Sequence, residues 1–171
     1  DFIREAKFYT GSFQVNNGNA LSSVLDMSLI TPSKDKAVRR FAIGASDLAV
    51  SYNGPLTKNT GMLLSYRRSY LQFLFSAIGL PFLPTYNDYL IKTKTTLKNG
   101  DEFSFISLGA YDVSRLNLEQ NETEEQRYLL SYLPETDQWN YTIGATYRHF
   151  KKNGYINYIL SRNMFRNMSF K

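Results

Sequence analysis

Alternation of apolar and polar residues with a period of two is the feature that most constrains this chain. From 140 to 148, Tyr141, Ile143, Ala145 and Tyr147 alternate with Asn, Thr, Gly and Arg residues, and the alternation resumes after 155. Successive side chains of a β-strand point to opposite faces, so this period predicts strands with one apolar face and one polar face. The sequence therefore favours an all-β fold.

Turn-forming clusters separate the alternating runs. Asn-Gly steps recur along the chain, and such steps tolerate the positive φ of a tight hairpin turn. The clusters lie at 16–19, 53–55, 98–101 and 151–154. The clusters and the alternation together give seven predicted strands. These strands are 22–31, 38–53, 60–74, 86–97, 102–113, 139–150 and 155–166.

The predicted connections differ in length. The short ones are at 54–59, 98–101 and 151–154. The long ones are at about 75–85 and 114–138. The second long one holds an acidic run at 121–126, which we expect to be a solvated loop. Short turns at one end of a meander and long loops at the other are typical of a transmembrane β-barrel.

Composition excludes several classes of protein and site. The 171 residues include no Cys and one His, His149, so a disulfide framework, a thiolate metal site and a His-rich cluster are excluded. The net charge of +5 is modest and scattered, so no nucleic-acid partner is predicted. No nucleophile motif accompanies His149. We therefore predict no enzyme, catalytic residue, metal or cofactor, and interpret His149 as a strand-end residue at a membrane interface.

A soluble up-and-down barrel, such as a lipocalin, also shows hairpins and alternation, and it remains an alternative. Three features favour the membrane. Several predicted strands are near the 9–11 residues of a spanning strand. Tyr and Phe cluster near strand ends, as in the aromatic girdles of membrane barrels. The residues at the polar alternate positions are small or hydrated. The predicted fold is an all-β, antiparallel, up-and-down transmembrane β-barrel.

Short motifs add a family resemblance. The run Ser-Ser-Val-Leu-Asp at 22–26, together with 13–21 before it, resembles the end of the plug domain and the entry to the barrel in TonB-dependent outer-membrane receptors of the Bacteroidota. Ser-Tyr-Asn-Gly-Pro-Leu at 51–56 is similar to the turn that closes their second strand. Arg-Arg-Ser-Tyr-Leu at 67–71 is similar to the signature of their third strand, and 86–101 resembles the next strand and turn.

The resemblance implies a domain organisation and a function. Residues 1–21 would be the end of the plug and a linker, and 22–171 about the first seven strands of a barrel of roughly 22 strands. The loop at 32–36 would then be extracellular and the short turns periplasmic. The implied function is active uptake of a nutrient across the Gram-negative outer membrane with energy from TonB. A soluble ligand-binding barrel and a passive porin are the alternatives.

The implied partners are outer-membrane lipid and lipopolysaccharide, a nutrient ligand, the TonB complex through a region outside this sequence, and a surface lipoprotein as a further candidate. The N-terminus shows no secretory leader, so we expect either a cytoplasmic protein or a mature or truncated piece. Arg67 and Arg68 are adjacent on a strand and must point to opposite faces. One is expected to face the lumen or plug, the other lipopolysaccharide phosphates, with Asp26 and Asp47 as lumen-side carboxylates.

Overall fold

The computed structural model describes residues 2–11, 17–18 and 22–171. The chain divides into two compact units, Asp1–Thr31 and Pro32–Lys171. Both consist of antiparallel sheets, with two short helices in the second unit, so the all-β prediction is confirmed. Within the described residues, no helix has the length and apolar character needed to cross a bilayer.

The first unit is a pair of strands, β1 (Ile3–Tyr9) and β2 (Val24–Leu29). The sequence predicted a barrel strand over 22–31, but β2 pairs with β1 and not with the larger sheet. The predicted turn at 16–19 and the proposed plug-end motif at 13–21 lie mostly outside the described residues. The assignment of 1–21 to a plug domain stays a prediction.

The second unit is a seven-stranded antiparallel meander in which each strand pairs with the next along the chain. Its strands are β3 (Val38–Ile43), β4 (Asp47–Thr57), β5 (Thr60–Ser69), β6 (Phe82–Thr96), β7 (Glu102–Leu116), β8 (Glu135–Lys151) and β9 (Gly154–Phe170). Helix α1 (Leu71–Ala77) lies between β5 and β6, and helix α2 (Glu124–Tyr132) between β7 and β8. One end of the sheet therefore carries only short turns, and the other carries both helical connections together with the short reversal at 44–46.

The predicted strand 38–53 is wrong, because the chain reverses at 44–46 and forms two strands. This extra reversal changes the end of the sheet at which the preceding segment lies. The Ser33 N–H donates to Asn53 Oδ1 at 2.9 Å, and the Lys34 ammonium donates to Thr96 Oγ1. The segment 32–36 thus lies at the end with the short turns, opposite to the prediction.

The predicted turn at Gly54-Pro55 is also wrong, since both residues lie inside β4 and the reversal comes at 58–59. β3 pairs with β4 only as far as Asn53. Beyond that point β4 pairs on one side only, and prolines within sheets are confined to such edge positions and to bulges. A bulge between Pro55 and Thr57 shifts the register there.

Both longer connections contain helices that the sequence pattern did not predict. β5 ends at Ser69, five residues before the predicted end, and α1 follows. The acidic run at 121–126 is exposed, but it opens α2 instead of forming a loop. Thr123 caps α2, because its hydroxyl accepts from Gln126 N while its own N–H donates to Gln126 Oε1.

The seven-stranded sheet has two unlike faces. We name the first the aromatic face. It carries Tyr66, Tyr89, Phe105, Trp139, Tyr141, Ile143 and Tyr147. We name the second the polar face. It carries Arg67, Asp88, Lys92, Lys94, Glu102, Thr142 and Arg148. In the described part of the chain, Leu63 is the only large apolar side chain that is buried, so the sheet has no closed apolar core of its own.

Candidate functional site

An ion-pair network centred on Arg67 occupies the polar face near the end with the longer connections. Arg67 Nε lies 2.8 Å from Asp88 Oδ2, and its Nη1 lies 3.9 Å from Asp47 Oδ2. The Arg67 guanidinium also lies 5.2 Å from the centre of the Tyr86 ring. Asp47, a predicted lumen-side carboxylate, and Arg67, one of the two arginines of which one was expected to face the lumen, are brought together. Asp88, the nearer carboxylate, was not singled out by the sequence.

Other residues of the Arg-Arg-Ser-Tyr-Leu run form hydrogen bonds to the turn at 44–46. Ser69 is fully buried, and its hydroxyl donates to the Ser46 carbonyl at 3.3 Å. The Tyr70 N–H donates to the same carbonyl at 2.9 Å, and the Tyr70 hydroxyl donates to the Gly44 carbonyl. The motif therefore holds the 44–46 turn against the start of α1.

Arg68 points to the aromatic face, so the expected divergence of the two arginines is confirmed. It is exposed and forms no ion pair within the described residues. Asp26 lies in β2 of the first unit, opposite Lys7, whose ammonium pairs with Glu5 at 3.3 Å. The predicted contacts of these residues with a lumen, a plug or lipopolysaccharide stay predictions.

A shallow pocket of about 250 Å³ opens on the aromatic face. Its rings belong to Tyr66, Tyr89, Tyr111, Trp139 and Tyr141. Gly109 is the register partner of both Tyr89 and Tyr141, and an added Cβ there would lie 2.8 Å from the Tyr89 ring and 2.7 Å from the Asn140 carbonyl oxygen. The Trp139 and Tyr141 rings are nearly parallel, with centres 5.8 Å apart. The absence of a side chain at Gly109 is what lets the Tyr89 ring lie over β7.

Polar atoms at the pocket rim are held in place. The Tyr66 hydroxyl donates to Asn87 Oδ1 at 3.2 Å, and the Tyr111 hydroxyl donates to Asp137 Oδ1 at 2.8 Å. Asp137 also pairs with Arg115 at 3.1 Å. An apolar floor with a few fixed polar groups at its edge is the usual composition of a ligand pocket. The sequence pattern identified the aromatic residues as a girdle but did not predict the pocket.

At the opposite end of the sheet, the buried carboxylate of Asp101 connects two turns. It accepts from the Tyr147 hydroxyl at 2.5 Å and the Phe150 N–H at 3.0 Å, and lies 2.9 Å from His149 Nδ1. The bond from Tyr147, then those from His149 and Phe150, hold the pKa of Asp101 well below its usual range. These contacts give Asp101 a structural role between the two turns.

No set of three or more His, Cys, Asp or Glu side chains is placed to hold a metal among the described residues. Comparisons with protein-family models, with curated proteins and with solved structures found no significant match.

Proposed function

We propose that this chain is part of a transmembrane β-barrel of the Gram-negative outer membrane that takes up a nutrient with energy supplied by TonB. The observation that carries the membrane assignment is the aromatic face. Its apolar side chains are mostly half-buried on the central strands and exposed on the edge strands, as at Phe41 (65 % exposed) and Leu160 (76 %), and the described residues of this unit form only one sheet. Apolar side chains exposed together on one face of a sheet mark a surface that contacts another apolar surface or a lipid.

The dimensions of the aromatic face suit a bilayer. Trp139 and Tyr147 mark its two ends on β8 and are eight residues apart, about 26 Å along the strand. At the tilt of transmembrane strands this corresponds to a height of about 20 Å, near the roughly 25 Å apolar band of outer-membrane barrels. Between Tyr141 and Tyr147 the same face of β8 carries Ile143 and Ala145, so aromatic side chains border an aliphatic stretch of this strand.

Arg162 on the edge strand β9 interrupts this band, because it is the register partner of Ile143. A charge on the lipid face costs about 2–4 kcal/mol at the middle of the bilayer and much less near its surfaces. The long side chain of Arg162 can extend along β9 toward the girdle and place its guanidinium among headgroups. We therefore expect the backbone of Arg162 to lie inside the band, at the level of Ile143, and its guanidinium to extend toward the outer girdle.

The uptake assignment rests on the family resemblance. In it, further strands pair with the free edges of β3 and β9 to close a barrel of roughly 22 strands around a plug. Lipopolysaccharide, the nutrient ligand, the TonB complex and a surface lipoprotein are the partners proposed with it. The longer connections, with α1 and α2, would face the outside and take part in ligand capture.

Extraction tests the membrane assignment. We expect the native protein to leave its cell envelope only with detergent and to show a heat-modifiable shift in gel mobility. Release as a freely soluble, monodisperse protein would contradict the assignment and favour the soluble ligand-binding barrel.

Trp139 provides an independent test, because it is the only tryptophan in this chain. We expect its fluorescence to be quenched more strongly by lipids brominated near the headgroup than by lipids brominated near the end of the acyl chain. Equal quenching by both, or none, would remove Trp139 from an interfacial girdle.

The gene distinguishes active uptake from passive diffusion. We expect the full reading frame to encode a plug domain and a TonB box before the segment described here. A reading frame without them would favour the porin alternative.

A further inference from the structure

Three arginines surround the aromatic pocket without carboxylate partners. Arg68 neighbours the pocket on the β5 side, and Arg162 and Arg166 on the β9 side, where Arg166 is the register partner of Trp139. All three are exposed, and within the described residues none of them forms an ion pair. Arg115 differs from them, because Asp137 and Glu135 neutralise it at 3.1 and 3.7 Å.

We propose that the pocket and these arginines bind the phosphorylated sugar headgroup of a glycolipid in the outer leaflet, an inference that rests on the proposed membrane function. Aromatic rings present flat apolar surfaces of the kind that pack against the C–H faces of a sugar ring. Guanidinium groups bind phosphate through two parallel hydrogen bonds. The side-chain oxygen Oδ1 of Asn87 and the hydroxyl of Tyr66, which share a hydrogen bond, lie where sugar hydroxyls would reach them.

The placement of the arginines specifies the headgroup further. Arg68 and Arg166 lie in one row of the sheet, and four strand spacings separate them, about 19 Å in all. Because positive charge stands on both sides of the pocket, a headgroup with a phosphate at each end fits it better than one with a single phosphate. Binding also gives Arg162 a counter-ion at the edge of the lipid face.

Glycolipid binding to the detergent-extracted native protein tests this site. After removal of bound lipid, a glycolipid with two phosphates is titrated in and followed by Trp139 fluorescence and native mass spectrometry. We expect Arg162→Gln with Arg166→Gln to weaken binding about tenfold, as expected when charge-assisted bonds to phosphate are lost. Trp139→Leu, followed by mass spectrometry alone, should weaken binding about fivefold if ring stacking contributes as it does for other flat ligands.

Two variants on the polar face are the matched controls. Arg40→Gln removes an exposed arginine of β3, and Phe165→Leu removes an exposed ring of β9. Both should bind the glycolipid like the natural protein. Equal affinity of the double arginine variant and the natural protein, or equal affinity for glycolipids with two phosphates and with none, would overturn the inference.

Heat-modifiability of the same samples separates this inference from the proposed function. A protein that is detergent-extracted and heat-modifiable but binds no phosphorylated glycolipid overturns the headgroup site and leaves the membrane function intact. A protein that needs no detergent overturns both.

Discussion

The two faces of the seven-stranded sheet are built from the same strands but are stabilised differently. On the polar face, charged side chains pair across neighbouring strands, as Lys94 does with Glu102 at 2.7 Å and Arg148 with Glu102 at 3.6 Å. On the aromatic face, rings and aliphatic side chains contact one another, and the arginines nearest the pocket lack partners. Ion pairs across strands therefore compensate several charges of the polar face, whereas the aromatic face leaves arginines near the pocket unpaired within the described residues.

A charge placed on each face gives the largest expected contrast. Ala145 and Thr146 are adjacent on β8, both half-buried, and face opposite sides. We expect Ala145→Lys to lower the free energy of unfolding in a bilayer by about 2–4 kcal/mol, because the ammonium would lie in the apolar band. The measurement is urea unfolding of the protein in lipid vesicles.

Thr146→Lys is the control for that substitution. It adds the same charge to the polar face, where we expect a change within about 0.5 kcal/mol. If both lysine variants were equally stable, the aromatic face would be in contact with water and the membrane assignment would fail.

A methyl group added to each face gives a smaller contrast. Gly109→Ala would place a Cβ 2.7 Å from the Asn140 carbonyl oxygen and 2.8 Å from the Tyr89 ring. Because the first neighbour is backbone, we expect a loss of about 1–3 kcal/mol, measured in the same unfolding experiment.

Gly144 on the polar face is the matched glycine. There an added Cβ would lie 3.1 Å from Ile106 Cγ2, the end of a side chain, and no closer than 3.9 Å to any backbone atom. Gly144→Ala should change stability by less than Gly109→Ala. The reverse order would mean that the Tyr89 ring can move off β7 at little cost.

At the end of the sheet with only short turns, Asp101 bonds to Tyr147 of the aromatic face and to the backbone of Phe150. These bonds make stability depend on pH. The pKa of Asp101 is lowered in the folded protein. Its contribution to the free energy of unfolding is therefore complete above about pH 4, the pKa of an Asp side chain in the unfolded chain, and is lost as the pH falls below that value. We expect Asp101→Asn to be less stable than the natural protein at pH 7 and to lose less stability between pH 4 and pH 2.

The exposed carboxylate of Asp35, at the same end of the sheet, supplies the control. Asp35→Asn should keep the natural pH profile in thermal unfolding. A natural protein whose melting temperature does not change below pH 4 would contradict the role of Asp101.

Period-two alternation predicted the strand class, and the turn signals predicted three short and two long connections, because both depend on local sequence. The reversal at 44–46 was missed, since Gly-Ala-Ser-Asp is a weak turn signal that gains its stability from Ser69 and Tyr70, more than twenty residues away. Missing one reversal inverted the side assigned to 32–36. The capping box from Thr123 to Gln126 was readable in the sequence and would have predicted α2.

Side-chain partners were less predictable than strands, because they depend on register. The pairing of Arg67 with Asp88 requires β5 and β6 to be aligned across a connection that contains α1. The pocket likewise requires four strands in register around Gly109. Alternation alone places a residue on a face but does not identify its neighbour across the strands.

The smallest expected effect is the coupling within the Arg67–Asp88 pair on the polar face. Both side chains are substantially exposed, at 47 % and 34 %. We expect a double-mutant cycle with Arg67→Gln and Asp88→Asn to give about 0.2–1 kcal/mol at low salt, decreasing as salt is added. A coupling well above 1 kcal/mol that does not change with salt would show that this part of the polar face excludes water. The two faces would then differ in charge but not in hydration, and the polar face would pack against other protein instead of an aqueous lumen.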